Sequence, residues 1–267
     1  MTASTARSGD AATAGARAPL YALILVGVIA GYLSGLFGVG GGIIVVPALL
    51  MLGYDQRRAA GTSVAAILPT AIVGTVSYGI AGHVDWIAGA ALAVGVVGGA
   101  QVGSFLLARL PRRALFWSFL VFLVFSGVSL WLSVPQRGDS IDLSAWTVVG
   151  LVAAGVVTGI LSGILGVGGG IVVVPALMFF FGASDLIAKG TSLFMMVPGS
   201  LSGTIGNVKR GNVDLRGGLC VGLAACVASP LGLLTATSIS PVASNIAFSV
   251  LLAAITVQLV VRTVRSR

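Results

Sequence analysis

A helix-breaking sequence is written twice in this chain. Residues 35–49 read GLFGVGGGIIVVPAL and residues 163–177 read GILGVGGGIVVVPAL. Gly38, Gly40, Gly41 and Gly42 in the first copy, and Gly166, Gly168, Gly169 and Gly170 in the second, each cost a helix interior about 1 kcal/mol against alanine. Both copies therefore predict a backbone break followed by a short helix. The first turn of such a helix presents N–H groups that lack intrahelical partners and carry positive partial charge. With no side chains in the way, an anion can approach that backbone closely. Close helix packing through small residues is the plainer reading and stays beside it. A Cβ added at Gly41 or Gly169 is expected to block the anion's approach while folding is spared. Nucleotide chemistry is excluded. A P-loop needs Lys-Ser/Thr after its last glycine, and both copies continue into apolar residues; Ile43 stands where the third glycine of a dinucleotide fingerprint belongs.

Hydroxyl residues follow each break. "GTS" recurs at 61–63 and 190–192, so Thr62, Ser63, Thr191 and Ser192 are candidates to cap the next helix or to donate to a ligand. Ser34 and Ser162, four residues before the first glycine of each motif, are weaker candidates. Pro69 and Pro198 fall mid-segment, where a lost backbone hydrogen bond bends a helix, as a hinge or as a packing kink. Asp85 and Asp214 each precede an apolar helix and read as N-caps. His83, the only histidine, aligns with Asn212, and the intramembrane Gln101 aligns with Pro230. No ionisable residue is expected inside an apolar segment, so a substrate would be held by neutral donors, and a coupling proton would travel on the substrate or through His83, Asp85 or Asp214. Cys220 and Cys226, six apart, lie on different helix faces and cannot bridge each other. No metal-ligand cluster, cofactor motif or catalytic triad is present, which argues against an enzyme.

These groups must be positioned by membrane helices. Of 267 residues 57% are hydrophobic and 8% charged, with a mean hydropathy of +1.09, too little polar surface to cover a globule in water. The fold class expected is all-α, a polytopic membrane protein. Residues 31–49 match 159–177 at 15 of 19 positions, and Pro69, Gly74-Thr75 and Gly82-x-Val84-Asp85 recur at Pro198, Gly203-Thr204 and Gly211-x-Val213-Asp214. The chain divides into a tail (1–19), one repeat (20–134), a polar linker (135–144), a second repeat (145–261) and a tail (262–267). Each repeat holds about five apolar segments: 20–37, 43–52, 61–80, 86–107 and 114–134, then 145–165, 171–181, 188–205, 217–237 and 241–261. The second of each has about 10 residues, some 15 Å of helix, and cannot cross about 30 Å of hydrocarbon. It either returns from the break as a hairpin or continues an interrupted crossing.

Loop charges separate these two readings. With the hairpin, thirteen Lys and Arg fall on one side and only Arg137 and Lys189 on the other; an interrupted crossing gives a nearly even 9-to-6 split. Positive residues mark the cytoplasmic side. Five passes per repeat, both termini cytoplasmic, and two inverted repeats are the expectation. The net charge of +8 then reports orientation and not nucleic-acid binding. The residues before Leu20 are read as preceding an uncleaved first helix.

Paired GxGGGxxxxPxL segments, each followed by GTS, resemble the sulfite exporter TauE/SafE family, also called toluene-sulfonate uptake permeases. The resemblance covers the chain from Leu20 to Val261. It implies an inner-membrane secondary transporter of sulfur-containing anions such as sulfite, sulfoacetate or other organosulfonates. It also implies a substrate site at Gly38–Gly42 with Thr62 and Ser63, and at Gly166–Gly170 with Thr191 and Ser192. The partners expected are a small anion, the lipid bilayer and a coupling proton. A passive anion channel is the alternative.

Overall fold

The computed structural model describes residues 19–111 and 144–265, with scattered positions between 114 and 124. Most of the expected fifth segment of the first repeat and nearly all of the 135–144 linker lie outside the described residues. The first repeat contributes α1 (Leu20–Phe37), α2 (Gly42–Met51), α3 (Gln56–Ile80) and α4 (Trp86–Arg109). The second contributes α5 (Ala145–Leu165), α6 (Gly170–Phe181), α7 (Asp185–Lys209), α8 (Leu215–Ser238) and α9 (Pro241–Arg265). The described structure is all-helical, as expected. Among the described residues, five helices (α1, α3, α4, α5 and α8) are long and apolar enough to cross a membrane.

Caps move several ends from where hydropathy set them. Asp55 Oδ1 accepts from the N–H groups of Arg57 (3.0 Å) and Arg58 (3.1 Å), and Ser184 Oγ accepts from Ile187 N–H. Helices α3 and α7 therefore begin about one turn before GTS. The hydroxyls of Thr62, Ser63, Thr191 and Ser192 are not caps: a satisfied polar first turn extends the helix beyond its apolar stretch. Asp85 and Asp214 do cap α4 and α8. Helix α9 likewise runs on to Arg265, into residues expected to be tail.

Small residues let the long helices approach backbone to backbone. Gly27, Gly31 and Gly35 of α1 lie against Val221, Ala225 and Ser229 of α8. Gly95, Gly99 and Gly103 of α4 lie against Gly155, Gly159 and Gly163 of α5. Numbering rises together across both interfaces, so each pair is parallel. Across the centre it falls: Gly203 of α7 meets Val64 of α3, Leu193 meets Gly74, and Gly190 meets Tyr78. Helices α3 and α7, equivalent in the two repeats, are therefore antiparallel. The short helices turn back along their predecessors. Tyr54, just past α2, shares a pocket with Leu20 and Leu23 at the start of α1, and Phe181 at the end of α6 touches Gly150 near the start of α5.

The core gathers where the two breaks meet, with Val39, Ile43, Ile171 and Met195 at 0% exposure. Outward faces stay apolar. Val94 of α4 is 70% exposed and Val227 of α8 is 76% exposed, which suits a surface solvated by lipid and not by water.

Candidate functional site

Each break is a run of left-handed backbone that only glycine adopts without strain. In the first copy φ is +70° at Gly38, +75° at Gly40 and +73° at Gly41; in the second it is +73° at Gly166, +88° at Gly168 and +81° at Gly169. Gly42 and Gly170 then open α2 and α6 in helical conformation. Their missing Cβ atoms serve a different end. A Cβ on Gly42 would lie 2.6 Å from Gly166 O, and one on Gly170 would lie 2.5 Å from Gly38 O. The two breaks thus touch each other reciprocally, through the same positions of each repeat. All the motif glycines are buried.

The expectation that Gly41 and Gly169 tolerate a Cβ is corrected here. Both have positive φ, and the added atom would sit 2.8 Å from Ala30 O in one case and run into Thr158 Cγ2 in the other. Left-handed backbone alone costs a residue with a Cβ about 1–2 kcal/mol.

Hydroxyls from each repeat hold the break of the other. Ser63 Oγ donates to Gly166 O (2.6 Å) and Ser192 Oγ donates to Gly38 O (3.0 Å). Thr62 Oγ1 accepts from Asp214 N–H and Thr191 Oγ1 accepts from Asp85 N–H, both at 2.9 Å. All four side chains are fully buried. In this conformation they fix the breaks and the entries to α4 and α8. The N–H groups are used differently. Ile44 and Val45 donate to Gly41 O, and Val172 and Val173 donate to Gly169 O. The N–H groups of Gly40–Ile43 and Gly168–Ile171 donate to no protein acceptor among the described residues. Two clusters of backbone donors, each at a helix N-terminus, therefore stand on buried residues where the breaks meet.

A small cavity of about 10 Å³ opens on the second break, lined by Gly168, Ser162, Met196, Ser200 and Ile67. That is room for about one water. Thr75 and Thr204, the matched hydroxyls of the two repeats, are buried without a hydrogen-bond partner, as are Ser34 and Thr158. Pro69 sits inside α3 facing Gly222 of α8, and Pro198 sits inside α7. Gln101 ties α4 to α7 by donating to Ser202 O at 2.6 Å. His83 presents its backbone carbonyl to Gly190. Cys220 and Cys226 are free thiols.

No ionisable residue was expected inside an apolar segment, and two charges are nonetheless buried at the edge of the one expected over 188–205. Lys189, placed among loop charges by sequence, is 2% exposed, and Asp185 is 1% exposed. Lys189 Nζ donates to Asp185 Oδ2 and to Ser244 Oγ of α9, both at 2.9 Å. Hydropathy missed the pair because the two charges bracket the first turn of α7, at the edge of the apolar segment; the i,i+4 spacing of Asp185 and Lys189 was the available signal. Removing Lys189 from the loops changes the charge split from 13-to-2 to 13-to-1, in the same direction.

At the opposite end a second polar pair stands outside the spanning segments. Tyr54 Oη donates to Asp214 Oδ2 at 2.7 Å in a cavity also lined by Arg58 and Arg216. Burial and the bond to Asp214 push the Tyr54 hydroxyl up to about 12. Burial opposes ionisation of Asp214, yet the Tyr54 hydroxyl, the Gly217 N–H and Arg58 together hold its carboxyl below the usual range.

Known proteins align with this arrangement along most of the chain. The sulfite exporter TauE/SafE family profile matches residues 1–130 and 151–267. A probable membrane transporter protein YunE of Bacillus subtilis is 29% identical over 217 residues, covering 72% of this chain and 79% of its own. A probable membrane transporter protein of Haemophilus influenzae is 31% identical over 162 residues, 58% of this chain and 61% of its own. A second Bacillus subtilis protein, the probable membrane transporter YdhB, is 29% identical over 201 residues, 72% of this chain and 80% of its own. With apolar helices around a doubled glycine break and a family match over both repeats, the chain is a multi-pass membrane transporter of the sulfite exporter TauE/SafE family.

Proposed function

We propose that the chain is a secondary transporter of small sulfur-containing anions (sulfite, sulfoacetate or other organosulfonates), working by alternating access in the inner membrane with both termini cytoplasmic. The observation that carries this reading is the pair of buried N–H clusters at the starts of α2 and α6, brought together by the contact between the breaks. Backbone donors suit an oxyanion, which offers several acceptors and no donors when ionised. The motif glycines form the site, and Thr62, Ser63, Thr191 and Ser192 position it from the opposite repeat. The antiparallel run of α3 against α7 supports inverted repeats, and the 13-to-1 charge split supports the orientation.

The cavity at the second break is far smaller than a sulfonate, so substrate entry requires the repeats to move apart. Pro69 and Pro198, inside the two helices that cross at the centre, are the proposed hinges. That requirement favours a carrier over a passive channel. Reconstituted protein should take up labelled sulfite or sulfoacetate with saturation, and unlabelled anion on the far side should accelerate the flux. Flux that rises linearly with concentration and ignores the far side would make the protein a channel. Flux of none of a panel of sulfur oxyanions and sulfonates would refute the substrate class.

A further inference from the structure

We infer that Asp185 and Lys189 form a coupling site beside the first break: Asp185 takes a proton, and Lys189 takes the negative charge of the transported anion that the break's N–H groups hold. This rests on the anion-transporter reading above. Asp185 and Lys189 are the only charged side chains that are fully buried among the described residues. Burying ionisable groups is costly, and inside a membrane protein such groups mark ion or proton pathways. The fold does not require this pair. Their counterparts in the first repeat are Gln56 and Ala60, and there Ala60 packs against Gly166 as Lys189 packs against Gly38. The same break and the same start of a long helix form without either charge.

The geometry shows how the exchange works. Lys189 Nζ is shared between Asp185 Oδ2 and Ser244 Oγ, at 2.9 Å each, while Asp185 Oδ1 is buried with no hydrogen-bond partner. One carboxylate oxygen is held and the other is bare, open to a proton. Protonation there removes the negative charge opposite Lys189, and an anionic oxygen takes its place on the ammonium. Before the exchange the buried site is neutral, as carboxylate plus ammonium. After it the site is neutral again, as carboxylic acid, ammonium and a monoanion. A proton alone or an anion alone would leave one uncompensated buried charge, which low dielectric penalises heavily. Coupling of one proton to one monoanion follows.

The site is mechanically joined to the substrate break. Lys189 Cα and Cβ lie against Gly38, and Ser192, three residues on, holds Gly38 O. Helix α9 covers it through Ser244 and through Phe248, which stacks on Phe37 with centroids 4.7 Å apart. Three other titratable residues stand nearby. Tyr78 of α3, within electrostatic range of Asp185, donates to Gly35 O at 2.7 Å, and the Asp85 carboxylate caps α4. His83 offers its backbone carbonyl to Gly190.

Methanesulfonate and sulfite are the probes, with purified full-length protein in detergent. Methanesulfonate stays ionised across the range, so its pH dependence belongs to the protein. Its affinity should fall about tenfold per pH unit on the alkaline side, with one proton taken up per anion bound in unbuffered solution. Asp185→Asn should keep binding but lose both the pH dependence and the proton uptake. The double variant Asp185→Asn/Lys189→Met, which leaves the buried site neutral, should lose at least tenfold in affinity. A wild-type pH profile in Asp185→Asn, or parental affinity in the folded double variant, overturns the inference while the transporter reading stands. Should the double variant fail to fold, proton uptake by Asp185→Asn decides alone. If the wild-type protein binds neither probe, the anion reading fails and takes the coupling site with it.

Discussion

Placing a Cβ on Gly42 tests the contact between the breaks apart from any effect of backbone strain. Gly42 is helical, so alanine there costs nothing in φ and improves helix propensity by less than about 1 kcal/mol. The new atom would lie 2.6 Å from Gly166 O and 2.8 Å from Val167 Cα, both backbone atoms that no rotamer change can move aside. Overpacking of this kind costs about 1–3 kcal/mol. Gly53→Ala provides the converse control. Its φ is +92° with nothing within 4 Å of the added atom, so it carries only the left-handed cost of about 1–2 kcal/mol. The assay is unfolding of the purified protein in detergent followed by tryptophan fluorescence, alongside transport in proteoliposomes. Gly42→Ala and Gly170→Ala should each be destabilised and impaired in transport; Gly53→Ala should lose stability and keep transport. The double variant Gly42→Ala/Gly170→Ala should lose less than the sum of the two, because one clash already parts the breaks. Parental stability and transport in both single variants would refute the contact and leave the repeats independent.

Further outcomes follow from the polar contacts and the orientation. Thr191→Val leaves the Asp85 N–H without its acceptor, and Thr62→Val does the same at Asp214; each should cost about 1–3 kcal/mol in detergent unfolding, and Thr→Ser should restore it. Because the Asp214 carboxyl is held below its unfolded value, its contribution to stability is present above the usual carboxylate range and is lost as pH falls through the folded value. Tyr54 is the reverse: raised from 10.0 to about 12, it contributes below pH 10 and is lost as pH rises towards 12, so Tyr54→Phe should flatten the stability profile in that alkaline window. In a cysteine-free background, cysteines at the exposed positions Arg58 and Lys209 should label only from the cytoplasm, and those at Ala81 and Ser238 only from outside. Labelling of Arg58 and Ala81 from one side would overturn the orientation.

Hydropathy, repetition and glycine content determined the helical class, the two-fold duplication and the positions of both breaks. Each of these is a local or periodic property: an apolar span must reach about 20 residues to cross a bilayer, and a run of glycines destabilises a helix wherever it lies. The residues around the breaks were legible too, because Thr62, Ser63, Thr191 and Ser192 recur at one spacing in both repeats. What those hydroxyls do was not legible. Ser63 holds Gly166 and Ser192 holds Gly38 across more than 100 residues of chain, and no sequence window contains both partners. Gly42 and Gly170 looked like part of the same helix break, yet they are helical, and their lack of a Cβ serves the approach of one repeat to the other. Lys189 looked like a loop charge because charge in a sequence suggests water. Only the packing of α7 and α9 decided that it is buried beside Asp185 and Ser244. Burial is a property of what the chain brings from a distance, and a residue's own type and neighbours do not contain it.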